Sequence, residues 1–151
     1  MADRAAGFSV RVSGSRDGSA TAFVRKHRFV VGSPVTFDEQ DPQLSALEYV
    51  LGAFGADLVT GLLAAARARH LELDHAEALV RADLDDELAA VGVVGATGSP
   101  ALARVQVKVY ASSGADEAAL RELWNQTLER SPLVRTLQPV VRLELVLEMS
   151  P

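Results

Sequence analysis

The stretch QLSALEYVLGAFGADLVTGLLAAARARH, residues Gln43 to His70, decides the fold because it is almost continuously apolar. It predicts one long helix that begins at Ser45, since Ser45 and Glu48 have the spacing of a capping box. A helix that is apolar on every face has to be covered on all sides by other parts of a protein. One acid, Asp57, lies in the middle of this run. A carboxylate in such surroundings must find a partner or take up a proton.

The same run is about the minimum length for crossing a bilayer, and we considered a membrane span. Asp57 would then lie near the bilayer centre, at a cost of about 3 kcal/mol. The run is also rich in Gly and Ala, which suit close packing inside a protein better than contact with lipid. We therefore expect a buried central helix, no membrane partner and a cytoplasmic location.

Outward from this helix, the pattern predicts an α+β chain in the order β-β-(β)-α-β-β-α-β, with helices packed on an antiparallel sheet. A hairpin is expected around the turn sequence SGSRDGSA, followed by a short third strand. After the long helix, alternation of apolar and polar residues predicts further strands, and a second amphipathic helix should end at Pro132. The expected strands are 8–12, 21–25, 27–31, 78–85, 104–110 and 140–149, and the second helix begins at Ser113 or Gly114.

Composition limits the possible functions. A chain of 151 residues with 48% hydrophobic and 23% charged residues fits one globular domain, residues 1–151. The net charge of -5, with basic residues scattered among acids, argues against a nucleic-acid partner. The sequence contains no cysteine, so thiol nucleophiles, disulfides and thiolate metal sites are excluded. His70 and His75 lack the third ligand that a metal site needs, and we expect neither a metal nor a cofactor.

Two segments carry a resemblance to a known family. SALEYVLGAFGADLVTGL begins at Ser45, and ERSPLVRTL begins at Glu129. Together with the element order, they resemble the OsmC/Ohr family of osmotically inducible and organic-hydroperoxide-resistance proteins over nearly the whole chain. The resemblance implies an OsmC-like α+β fold with a long buried central helix and a second helix. It also implies an intertwined homodimer, with each active site built at the subunit interface.

Both cysteines of the family motifs are replaced in this sequence. Asp57 stands where the peroxide-reacting cysteine is expected, and Ser131 stands where the resolving cysteine is expected. The family reaction needs a thiolate that becomes a sulfenic acid and condenses with a second thiol. Since a carboxylate and a hydroxyl cannot follow that route, we do not expect hydroperoxide reductase activity.

The family also pairs an Arg from the N-terminal strands with a Glu early in the long helix. The matching Glu position is Leu47 here, while Glu48 is better explained as the helix cap. Arg25 and Arg28 both lie near the place from which the Arg would come, and the sequence does not choose between them.

These residues suggest a binding or structural member of the family. We expect a cleft at the dimer interface, formed by Asp57, Ser131, Phe54 and one of Arg25 and Arg28, that holds a small apolar or amphipathic ligand. The ion pair could instead serve only to hold the core or the interface together. One alternative function is an enzyme that uses Asp57 and an Arg as an acid/base pair. Another is a protein linked to the organic hydroperoxide and oxidative stress response without turnover.

Overall fold

The computed structural model describes residues 7–150, which fall into two compact units divided between Tyr49 and Val50. Within residues 7–150, six strands and four helices follow one another. They are β1 (Arg11–Gly14), β2 (Ala20–Val24), β3 (His27–Val31), α1 (Ala46–Ala68), β4 (His75–Leu84), α2 (Glu87–Ala90), β5 (Leu102–Ser112), α3 (Glu117–Arg130), α4 (Pro132–Leu137) and β6 (Arg142–Ser150). The predicted α+β order is confirmed, and α2 and α4 are short additions to it.

The N-terminal unit is built on the antiparallel sheet β1-β2-β3. Val12, Ala22 and Phe29 pair across the three strands, so their side chains share one face. The ring of Phe29 contacts that of Tyr49, with centroids 4.9 Å apart, and the Tyr49 hydroxyl donates to the Val30 carbonyl at 2.8 Å. These contacts fix the start of α1 against the apolar face of the sheet.

The capping box predicted at the start of α1 is present. The Glu48 carboxylate accepts from the Ser45 backbone N–H at 2.7 Å, and the Ser45 hydroxyl accepts from the Glu48 N–H at 3.3 Å. Two backbone donors that the helix leaves without intrahelical partners are satisfied in this way.

The C-terminal unit contains the sheet β4-β5-β6, on which α1 and α3 pack through an apolar core. The inward-facing set predicted for β5, Val105, Val107 and Val109, is fully buried. Gly55 brings α1 close to β4, since a Cβ added at this glycine would lie 2.8 Å from Val80 Cγ2. The long helix therefore presents one face to the sheet, with buried residues Phe54, Gly55, Leu58, Leu62 and Ala66.

One detail of the predicted sheet is corrected. β4 and β5 are antiparallel, but β5 and β6 pair in parallel. The two helices α3 and α4 lie between β5 and β6 in the sequence. They return the chain to the end of the sheet where β5 begins, and β6 then runs in the same direction as β5. Such a crossover produces a parallel pair, whereas a tight hairpin would give an antiparallel one.

Pro132 ends α3 as predicted, but it also begins α4. Ser131 has an extended backbone, with φ -70° and ψ 119°, and caps α4 by accepting from the Val134 N–H at 3.0 Å. Proline suits the first helical position because its fixed φ is helical and it has no N–H to leave without a partner. The junction between the two helices thereby fixes the position of the Ser131 side chain.

By length and composition α1 could cross a bilayer, with a mean hydropathy of 1.6 in its most apolar window. The central helix of a soluble protein meets the same criterion. Only 28% of that window is buried among the described residues, so much of the helix surface is open.

Candidate functional site

Asp57 and Ser131 meet in the folded chain. Asp57 is half-buried on α1, beside the face that packs on the core. Ser131 is only 4% exposed at the junction of α3 and α4, and its Oγ donates a hydrogen bond to Asp57 Oδ2. The two positions where the family resemblance expects cysteines are thus in direct contact, although 74 residues separate them.

This contact gives the Asp57 carboxylate a partner. A hydrogen bond to an ionised acceptor is stronger than one between neutral groups, and it offsets part of the cost of burying charge. The Ser131 hydroxyl donates its one proton in the hydrogen bond to Asp57, and its oxygen accepts a hydrogen bond from the Val134 N–H. Both groups are therefore held in fixed orientations.

A cavity of about 280 Å³ lies beside this pair, between α1 and α3. The two helices run antiparallel, because Asp57 contacts Ser131 near one end and Arg69 bridges to Glu122 at 3.3 Å near the other. We call this the Asp57 cavity. It is lined by Asp57, Gly61, Ala64, Ala65, Ala68, Gln126, Thr127, Arg130 and Ser131.

Small side chains on α1 create the space for the cavity. Gly61 faces α3 so closely that an added Cβ would lie 3.1 Å from Thr127 Cγ2. The Thr127 hydroxyl donates to the Leu123 carbonyl within its own helix at 2.8 Å, so it is not available as a donor to a ligand. The polar groups of the cavity that can reach a ligand therefore belong to Asp57, Gln126 and Arg130.

Arg25 and Arg28 belong to the N-terminal unit. Arg25 lies in the turn between β2 and β3, with a left-handed φ of 52°. Arg28 on β3 pairs with Phe23 on β2, so their side chains share one face of the sheet. On that face the Arg11 guanidinium carbon lies 4.3 Å from the centroid of the Phe23 ring. The choice between Arg25 and Arg28 as a partner of Asp57 stays a prediction.

Phe54 lies in the core of the C-terminal unit and is 1% exposed. It is not among the residues that line the Asp57 cavity. The sequence analysis missed Gln126 and Arg130, which are separated by about one turn of α3, with Arg130 immediately before the SPL segment. Their spacing of four residues was the available signal, since such residues share one helix face.

Comparisons with known proteins identify the family of this chain. A family model described as OsmC-like protein matches residues 38–146, which include both Asp57 and Ser131. The chain belongs to the OsmC family. A search of curated protein sequences finds no significant match.

Solved structures of OsmC-family proteins share the fold. An OsmC-like protein from Mycoplasma pneumoniae has a TM-score of 0.79 at 14% identity, and the match covers 97% of this chain and 99% of that one. The organic hydroperoxide resistance protein OhrB of Bacillus subtilis has a TM-score of 0.60 at 18% identity, covering 93% and 96%. An organic hydroperoxide resistance protein OsmC from Legionella pneumophila has a TM-score of 0.66 at 10% identity, covering 95% and 97%. At these identities the likeness establishes the fold alone.

Proposed function

We propose that this chain is a homodimeric, non-peroxidase member of the OsmC family that binds a small ligand in the Asp57 cavity. The observation that carries the proposal is the hydrogen bond from Ser131 to Asp57 at the wall of a 280 Å³ cavity. The sequence contains no cysteine, so no residue can form the sulfenic acid and disulfide of a thiol peroxidase. The carboxylate of Asp57 and the hydroxyl of Ser131, which stand at the two cysteine positions of the family, form a polar site that can recognise a ligand.

Binding accounts for the geometry better than catalysis by Ser131 does. A serine nucleophile needs a base that a third group orients, and its oxygen must be free to attack. The Ser131 oxygen already caps α4, and its proton is directed to Asp57. An enzyme in which Asp57 and an Arg act as an acid/base pair stays a prediction.

Retention of a ligand tests this function. The purified protein is incubated with a small-molecule extract, passed through a desalting column and denatured, and the released molecules are identified by mass spectrometry. We expect the wild-type protein to retain a specific molecule, and Asp57→Asn to retain at least about tenfold less. Asn preserves the shape and can still accept from Ser131, so the loss would report on the charge.

Two further variants control this experiment. Ala68→Phe adds a bulky side chain at the cavity wall and should also lose the ligand, whereas Ala118→Phe lies on an exposed part of α3 outside the cavity and should not. Equal retention by the wild type and Asp57→Asn, or no retained molecule at all, would contradict the proposed function.

The exposed face of α1 supports the homodimer. Small residues recur at every fourth position along this face, which brings them to one side of the helix. We call them the small-residue stripe; they are Gly52, Ala56 and Thr60, all exposed and outside the lining of the Asp57 cavity. Residues of this size allow a second helix to approach closely, and a second copy of α1 would cover the apolar surface that the sheet leaves open.

A charged, bulky side chain in the stripe should disrupt the dimer. We expect wild-type protein to have twice the chain mass by light scattering, and Ala56→Arg to have the mass of one chain at the same concentration. Leu79→Arg is the control, because Leu79 is an exposed apolar residue on the β4 strand, away from α1. A wild-type monomer, or a dimer that Ala56→Arg leaves intact, would contradict the assembly.

A further inference from the structure

The Asp57 cavity contains two opposite charges that are not paired with each other. Asp57 Oδ2 accepts from Ser131, but Oδ1 accepts no hydrogen bond within the described C-terminal unit. Arg130 lines the same cavity and makes no salt bridge among the described residues of that unit, with Asp57 or with any other acid. The cavity thus presents one acceptor with negative charge and one donor fork with positive charge.

The sequence of α3 explains why Arg130 lacks an intrahelical partner. Arg121, on the same helix, bridges to Glu117 four residues earlier at 2.9 Å. At the corresponding position before Arg130 stands Gln126, which is neutral and also lines the cavity. A carboxylate bound by Arg130 could also accept from the Gln126 amide, because both side chains lie on one face of the helix.

The remaining lining limits the size of the ligand. Gly61, Ala64, Ala65 and Ala68 contribute little beyond backbone and methyl groups to the α1 side. A volume of about 280 Å³ lies just below the range of about 300–1,000 Å³ that is usual for drug-sized ligands. The cavity therefore suits a short aliphatic group rather than a long acyl chain.

We infer that the ligand of the Asp57 cavity is a small zwitterion of the α-amino acid class with a short aliphatic side chain. Its ammonium group binds Asp57 Oδ1, its carboxylate binds Arg130 and Gln126, and its side chain lies along the small residues of α1. This inference rests on the proposed function and adds the chemical class of the ligand.

Specificity follows from the need to satisfy both charges. A carboxylic acid without an amine could pair with Arg130 but would leave Asp57 without a counter-ion. An amine without a carboxylate would do the same to Arg130. Because an unpaired charge is costly once a ligand excludes water, each of these analogues should bind more weakly than the zwitterion.

Calorimetric titration of the full-length protein tests the inference. The probes are L-valine, L-leucine, 4-methylpentanoate, which is leucine without its amine, and 3-methylbutylamine, which is leucine without its carboxylate. We expect at least one of the two amino acids to bind, and both leucine analogues to bind about tenfold or more weakly than the tighter amino acid. Asp57→Asn and Arg130→Gln should each weaken amino acid binding by about tenfold or more.

Matched variants distinguish the effect on binding of a charge in the cavity from that of a charge elsewhere on the surface. Arg135→Gln and Asp116→Asn remove one charge each from exposed residues outside the cavity lining, and they should bind as the wild type does. Arg130→Gln should leave the melting temperature unchanged, because Arg130 is exposed and makes no ion pair within its unit.

The possible failures are distinguishable from failure of the proposed function. Equal binding of an analogue and the amino acids, or no effect of Arg130→Gln on binding, would overturn the zwitterion. If neither amino acid binds while another molecule is retained in an Asp57-dependent manner, the ligand class is wrong but the binding site stands. If neither amino acid binds and no molecule is retained, both proposals are wrong.

Discussion

Truncation of Phe54 to alanine is expected to lower the free energy of unfolding by about 3–5 kcal/mol. Phe54 is 1% exposed and packs in the core between α1 and the sheet β4-β5-β6. Its removal would leave a cavity that the surrounding residues can fill only in part. The measurement is chemical denaturation followed by circular dichroism, with the slope against denaturant checked for each variant.

Phe37→Ala provides the matched control. The same atoms are removed there, but Phe37 is 59% exposed, and the expected change is below about 1 kcal/mol. The comparison also tests the earlier hypothesis that Phe54 belongs to the ligand cleft. If Phe54→Ala has nearly wild-type stability and binds the ligand more weakly, Phe54 belongs to the binding site. That result would contradict its assignment to the core.

Local signals in the sequence predicted the elements that position the site. The Ser45 and Glu48 capping box and the alternating valines of β5 each depend on residues close in the chain, and both are present as expected. The juxtaposition of Asp57 with Ser131 depends on the fold of the whole unit. It could be expected only because the family resemblance places both residues at the cysteine positions.

Other features depend on packing between distant segments. The parallel pairing of β5 with β6 is set by the path of α3 and α4, and hydrophobic alternation within β6 carries no information about strand direction. Arg130 resembles an ordinary basic residue at a helix C-terminus, which is a common arrangement. Its place in the cavity becomes visible only when the small residues of α1 lie opposite it.

The wild-type protein should not reduce organic hydroperoxides. A peroxide bond is cleaved in this family by a thiolate, and the oxidised sulfur is then regenerated by a second thiol and a dithiol reductant. The two positions are occupied by Asp57 and Ser131, and the sequence offers no thiol, because its cysteine count is zero. We therefore expect the same rate of peroxide consumption as in a protein-free blank.

The double variant Asp57→Cys and Ser131→Cys is the internal control for this result. Since the present side chains are in contact, the two introduced thiols should lie close together. We expect peroxide to oxidise this variant to a disulfide, seen as a loss of two hydrogens by mass spectrometry. If the thiols stay reduced, the altered position at Leu47 becomes the first explanation.

Consumption of an organic hydroperoxide in the presence of a dithiol reductant is the most direct measurement for the whole account. It compares wild-type protein, the double-cysteine variant, a cysteine-containing OsmC-family protein and a blank at equal concentrations. The loss of sulfur chemistry predicts that the wild type matches the blank while the cysteine-containing relative consumes peroxide rapidly. Wild-type turnover at a rate comparable to that relative would contradict the account.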